Sequence, residues 1–281
     1  MTRAVLTGRT GRGGDGVTVV AVVVLAVLVV SGLAGRFGVF GDPAELGERL
    51  AAPSLRAPLG TDDLGRSMLP RVAEAIGNTL LLALVAVALA TVGATLLAVA
   101  AGYLKGTVDR VVVALADVLF SFPGLLFAIL VAAVLGPGRP AAVAAIVLVT
   151  LPLMVRVFRQ AAMAVAERDF VVSAEISGVP AWRIMAVHVV PNIAGPIVVQ
   201  ATFAVSVAML VESALSFLGL GVQPPAASLG SLVSGGLNAL SIAPWLVFVP
   251  GAVLVAAITA TNLVGDGLRD RLDPREVRAL R

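Results

Sequence analysis

MAVAERDFVVSAEISGVPAWRIMAVHVVPN, residues 163–192, is the longest polar-bearing stretch between two very apolar runs, and its reading decides the fold. It reads as a helix, a glycine turn and a second helix. Met163, Ala166, Phe170 and Ala174 share one side of the first helix, and Arg168, Val172 and Glu175 share another. Gly178 suits the positive φ that ends a helix, and Pro180 suits the first position of the next. Trp182, Met185 and Val189 form a second apolar stripe, which Pro191 closes. A helical hairpin emerging between membrane spans is a docking surface for a partner.

Working outward, the chain of 281 residues is 59% hydrophobic and 13% charged, too apolar for an ordinary soluble domain. Its net charge of +3 comes from arginines gathered at helix ends, without aromatic residues interleaved. That pattern indicates membrane orientation and no nucleic-acid partner. With no cysteine, disulfides, thiol catalysis and Cys-based metal sites are excluded. The sole lysine, Lys105, sits in GYLKG, so no P-loop is present and the chain binds no cofactor of its own.

Six apolar runs predict an all-α integral membrane protein with six spans. Residues 1–16 are a basic tail and 17–34 the first span. A cleaved signal peptide ending in SGLAG is the rival reading there, opposed by the parity of the spans. Residues 35–77 form an extracytoplasmic loop. Near its end, Met68, Leu69, Val72 and Ile76 oppose Arg66, Arg71 and Glu74, which predicts an interfacial amphipathic helix. Residues 78–265 form a core of five spans, 78–104, 111–135, 141–155, about 193–220 and about 243–264, with hairpin 163–192 between the third and fourth of them. A Gly/Ser-rich stretch after GVQPPAASLG is expected to dip into the membrane, and 266–281 is a second polar tail. Fourteen of the twenty basic residues fall on one side if both termini are cytoplasmic, which puts the hairpin in the cytoplasm.

Asp117 and Glu212 lie within predicted spans, where an ionisable group is expensive. Each has two readings, a lining of a translocation path or a structural hydrogen bond between helices. Pro123, in FSFPG, predicts a kink. His188 is the only histidine and reads as a capping or packing residue. It has no second ligand at metal-binding spacing and no serine in a GxSxG context, so neither a metal site nor enzymatic catalysis is expected.

Several stretches together carry a family resemblance: LGTDDLGRSMLPR at 59–71, DVLFSFPGLLFAI at 117–129, SFLGLGVQPP at 216–225, APW at 243–245 and NLVGDGLRDRLDPR at 262–275. The chain resembles the membrane permease subunits of binding-protein-dependent ABC importers, of the dipeptide/oligopeptide/nickel type. The resemblance implies the type I permease fold in a bacterial plasma membrane. It also implies partners: two ATP-binding cassette ATPases, a second permease (a related chain rather than a copy) and an extracytoplasmic solute-binding protein. ATP would be bound by the partner ATPases. Residues 163–192 match the family's ATPase-coupling loop through Gly178, His188, Pro191 and Asn192. The family's Glu-Ala-Ala is replaced by Val172-Ser173-Ala174, and Glu175, a helical turn on, is the substitute acid. Gly77 departs too, standing where relatives often carry Arg.

Two other functions compete. An ion-gradient-driven secondary transporter would use Asp117 and Glu212 as proton carriers but leaves the hairpin without a purpose. An intramembrane enzyme lacks a nucleophile–base pair.

Overall fold

The computed structural model describes residues 11–55 and 57–272, with side chains from residue 16 onward. Its long helices are α1 (Gly11–Arg36), α2 (Met68–Leu104), α3 (Gly106–Phe120), α4 (Gly124–Leu135), α5 (Arg139–Ala166), α9 (Ala194–Phe217) and α11 (Trp245–Leu272). Short helices α6 (Asp169–Ile176), α7 (Ala181–Ile184) and α8 (Val190–Asn192) fall between α5 and α9, and α10 (Leu229–Gly236) between α9 and α11. Among the described residues, five helices are long and apolar enough to cross a membrane, or six if α3 and α4 count as one broken span.

The long central helix α2 organises the bundle. Its buried face is a column of small residues, Ala83, Ala86, Ala90, Ala94, Ala98 and Ala101. In a lipid setting apolar side chains gain nothing by leaving the hydrocarbon, so close backbone approach and dispersion drive packing, and small residues permit both. Ala142, Ala145 and Ala162 present the matching surface on α5 and are also buried. Near the C-terminal ends of both helices a Cβ on Gly102 would lie 2.9 Å from the Ala162 Cβ. On the other side α1 crosses α2 at two glycines: a Cβ on Gly77 would stand 2.9 Å from the Gly32 carbonyl oxygen. The residue that departs from the family's arginine is therefore the one that lets α1 sit against α2.

The structure corrects several expected boundaries. Residues 68–76 form no separate interfacial helix but the first turns of α2, with Met68, Val72 and Ile76 buried in the core. The amphipathic pattern there distinguishes protein from water, not lipid from water. The third span is not a kinked rod: α3 and α4 meet at 91° across Ser121–Pro123. The fourth runs on to Ala166, taking Met163 and Ala166 out of the hairpin. At the ends, α1 begins by Gly11, inside the expected tail, and α11 continues to Leu272. The remaining tails, 1–10 and 273–281, lie outside the described residues.

Two of the quoted motifs meet at the end of the bundle where α2 begins. Asp62, of LGTDDLGR, accepts hydrogen bonds from the backbone of Leu64 (2.9 Å) and Arg66 (2.8 Å), and pairs with the guanidinium groups of Arg66 and Arg71. Gly60, at φ +74, lies against the indole of Trp245 from the APW motif, whose N–H donates to the Thr61 carbonyl at 3.4 Å. Burial works to raise the Asp62 carboxyl. The hydrogen bonds from Arg66 and the charges of Arg71 and Arg66 outweigh burial and hold it below the ordinary carboxylate range.

Candidate functional site

The hairpin between α5 and α9 has a hydrophobic core of its own. Val171 of α6, Ile184 of α7, Val189 and Ile193 are buried against Val99 of α2 and Ala162 and Val165 of α5. Burying a Val or Ile side chain contributes about 1.5–3 kcal/mol, so four of them hold the hairpin firmly on the ends of α2 and α5. The inward residues differ from the expected stripes: Val171 is buried in place of Phe170, and Trp182 points outward at 68% exposure. Val189 is buried as the stripe requires, and Met185 is half-buried.

Its turn is fully specified. Gly178 adopts φ +77. Its N–H donates to the Glu175 carbonyl at 2.9 Å, and the Val179 N–H donates to the Ala174 carbonyl at 3.1 Å. This is a Schellman closure, with Val179 and Ala174 packed on the same small core. Pro180 caps α7 one residue before its first turn, its carbonyl accepting from Arg183 and Ile184.

Beyond α7, residues Met185–Val189 form a π-helical turn leading into α8. Pro191 has no N–H to give the Val187 carbonyl, and the widened turn accommodates that loss. The Asn192 side chain donates to the His188 carbonyl at 2.7 Å. The His188 ring stands 6.3 Å from that of Phe170, bringing the two arms together, so His188 packs. Pro191 does not close the helical path, since α8 runs on to Asn192 and α9 begins at Ala194.

What remains outward is Val172, Ser173, Glu175, Ile176 and Trp182, with Ala174 half-buried beneath them. Glu175 also reaches back to the Tyr103 hydroxyl on α2, which accounts for an acid at this position within the chain itself. Lys105 and Glu167 form a 3.0 Å ion pair at the same end of the bundle.

Asp117 and Glu212 fare differently. Glu212 is fully buried. Ser216 donates to its carboxylate at 2.7 Å and Ser213 lies at 3.4 Å, while the hydroxyls of Thr79 and Ser228 complete its surroundings. These residues belong to α9, α2 and the cap of α10, so the carboxylate ties the segment before α10 to two long helices. Gly230 of α10 packs directly on the Ser213 carbonyl. The Gly/Ser-rich stretch is thus a short helix sealed onto the bundle.

Asp117 is exposed instead. Arg156 of α5 donates to its Oδ1 at 2.8 Å, with the two side chains 49% and 54% accessible. The Arg156 guanidinium lies 4.8 Å above the Phe120 ring, at the rim of a cavity of about 250 Å³. A second pair, Arg159 with Asp109, joins the same two helices nearer the hairpin. Sequence reasoning missed Arg156 and Arg159 as partners; their position, at helical spacing on an apolar helix, was the available signal.

Among known proteins, the family described as the inner membrane component of binding-protein-dependent transport systems matches residues 94–278. The di/tripeptide transport system permease protein of Pseudomonas aeruginosa is 40% identical over 217 residues, covering 77% of this chain and 72% of the relative. The dipeptide transport system permease protein of Haemophilus influenzae is 37% identical, with 77% and 74% covered. The glutathione transport system permease protein of Pectobacterium atrosepticum is 34% identical, with 77% and 72% covered.

Proposed function

We propose, because this chain belongs to the family of inner membrane components of binding-protein-dependent transport systems, that it is the permease subunit through which an importer passes short peptides or similar small solutes. Similarity to permeases of dipeptides and glutathione supports the substrate class. Family membership does not favour the ion-gradient alternative.

The observation that carries the mechanism is the hairpin: a rigid unit with its own core, presenting Ile176 and Trp182 outward at 83% and 68% exposure. On this reading two cytoplasmic ATPases grip the hairpins of this chain and of a second, related permease. Val172, Ser173, Ala174, Glu175 and Gly178 form the gripped surface, and His188, Pro191 and Asn192 shape the return arm. ATP-driven closure moves the hairpins and biases the paired spans toward an outward-open state that receives solute from a binding protein. Both termini face the cytoplasm, and Asp117 faces the path.

The test is isolation from mild detergent followed by reconstitution. The expected result is retention of an ATPase and a second permease, and ATP-dependent uptake of dialanine into proteoliposomes supplied with the binding protein. Uptake that follows an ion gradient without ATP overturns the proposal.

A further inference from the structure

The Asp117–Arg156 pair is in the wrong place for a lipid-facing surface. Read with α4 as one broken span, α3 carries Asp117 about 16 Å from its start at Gly106, at about 1.5 Å per helical residue, and so at membrane depth. A charge facing lipid at such depth costs about 2.5–3.5 kcal/mol, yet both side chains are half-exposed in the isolated chain. Their face must therefore meet water or a polar partner in the assembled transporter.

The surroundings of the pair are specific. The cavity beside it is lined by Phe120, Phe122, Phe127 and Phe203, with Thr150 and Gln200 as polar exceptions. It opens because α3 and α4 turn away from each other by 91° at Ser121–Pro123. Phe122 stacks on Phe127 at 5.5 Å across that break, and Phe120 carries the guanidinium at the rim. One charge of each sign thus stands at the mouth of an aromatic chamber. Only a single hydrogen bond joins the two groups, leaving Asp117 Oδ2 and further N–H groups of Arg156 without another hydrogen bond among the described residues.

We infer that Asp117 and Arg156 form an exchangeable ion pair that takes the two termini of a zwitterionic short peptide during passage. The peptide ammonium pairs with Asp117, its carboxylate pairs with Arg156, and an apolar side chain enters the aromatic cavity. This rests on the peptide reading above and extends it to a site in the permease itself. A dipeptide is about 7 Å long when extended, so the pair parts to admit it, and the exposure of both side chains leaves them room to do so. Charge for charge, the substrate replaces what each residue gives up, so the pair reseals behind it without leaving a bare charge.

The assembled transporter without its binding protein, in nanodiscs, provides the test, using alanyl-benzoylphenylalanine and its C-terminal amide as photo-reactive probes. In the native protein the acid is expected to label the segments around Phe120–Phe127 and Leu153 about tenfold more than the amide, the scale of one charge-assisted hydrogen bond pair. Arg156→Gln should abolish that preference while leaving labelling by the amide unchanged. Asp117→Asn should weaken both probes, since both carry the ammonium. Equal losses for acid and amide in Arg156→Gln, or labelling confined to other segments, overturn the site and make the pair a strut between α3 and α5. Dialanine uptake with the binding protein separates the two levels. If the native transporter takes up none, the peptide reading fails and this site with it; if uptake is normal but labelling shows no dependence on Arg156, the site alone fails.

Discussion

Asn78 on α2 donates a 2.7 Å hydrogen bond to the carbonyl of Ala227, 149 residues further along the chain. Its own oxygen accepts from Arg139 at the start of α5, at 3.1 Å. One buried amide therefore joins α2, α5 and the segment before α10, directly preceding Thr79, whose hydroxyl borders Glu212. Removing it strands a carbonyl in a poorly hydrated setting. Asn78→Ala should destabilise the detergent-solubilised protein by about 1–3 kcal/mol, read as a lower thermal midpoint. Glu212→Leu, which strands four hydroxyl groups, should cost at least as much, and Glu212→Gln clearly less. Equal midpoints for Leu and Gln at 212 would remove Glu212 from any structural role.

At Gly178 a Cβ would meet nothing within 4 Å, so the only penalty of substitution is the backbone conformation at φ +77. Gly178→Val should strain the turn by about 1–2 kcal/mol, whereas Gly178→Asn should be tolerated. Membrane insertion should survive in both. ATPase retained on the purified permease should fall for Val and stay near the native level for Asn.

Glu175 faces both the outward surface and the Tyr103 hydroxyl. Its removal should loosen the hairpin from α2. Glu175→Ala and Tyr103→Phe are each expected to weaken ATPase retention about threefold to tenfold, consistent with a charge-assisted hydrogen bond. Val172→Glu, on the exposed side of α6, should tighten retention or leave it unchanged. A neutral Tyr103→Phe beside a damaging Glu175→Ala would assign the acid to the ATPase alone.

The depressed Asp62 carboxyl should make the loop between α1 and α2 acid-sensitive. Because its folded value lies below the unfolded one, its stabilising effect is complete above the unfolded value, near pH 4, and is lost as pH falls through the folded value. The charged groups facing it are Arg66 and Arg71, with Glu74 beside Arg71. Proteolysis of residues 43–66 by an acid-active protease should accelerate below about pH 4 in the native protein. In Asp62→Asn the loop should be cleaved rapidly at every pH.

Orientation is tested by single cysteines. Ser54 and Gln223 are exposed and should react with an impermeant thiol reagent applied outside intact cells, and Ser177 should not. Ser228, in the same segment as Gln223, is buried and caps α10, so it is unsuited to labelling. Reaction at Ser177 from outside would invert the topology.

How much of this was legible depends on contrast. The Gly178 turn and the spans could be read because glycine, proline and arginine stand out against apolar runs. The 91° break could be read only as a kink, since α4 (GLLFAILVAAVL) is apolar all round and carries no facing information. A hydrophobic stripe likewise misplaces Trp182: at a membrane surface apolar residues serve both a core and a docking face. The more informative signal was the spacing of small residues. Ala86, Ala90, Ala94 and Ala98 recur every fourth position and mark the buried side of α2. Partners such as Ser228 for Glu212, or Arg156 for Asp117, come from distant segments, and no local pattern announces them.

The continuity of α5 has a mechanical consequence. Its 28 residues run from Arg139 to Ala166 as one helix with Pro152 inside it, and the hairpin is clamped to its C-terminal end by a dedicated core. A rod of that length is about 42 Å, so a tilt of about 10° at one end displaces the other by about 7 Å. The stretch from Pro152 to Ala166, which carries both arginines, is the part of α5 that the hairpin core holds directly. Arg159 and Arg156 are both mounted on it, each grasping an aspartate of α3. The hairpin is thus the short arm of a lever whose long arm carries one half of each ionic clasp.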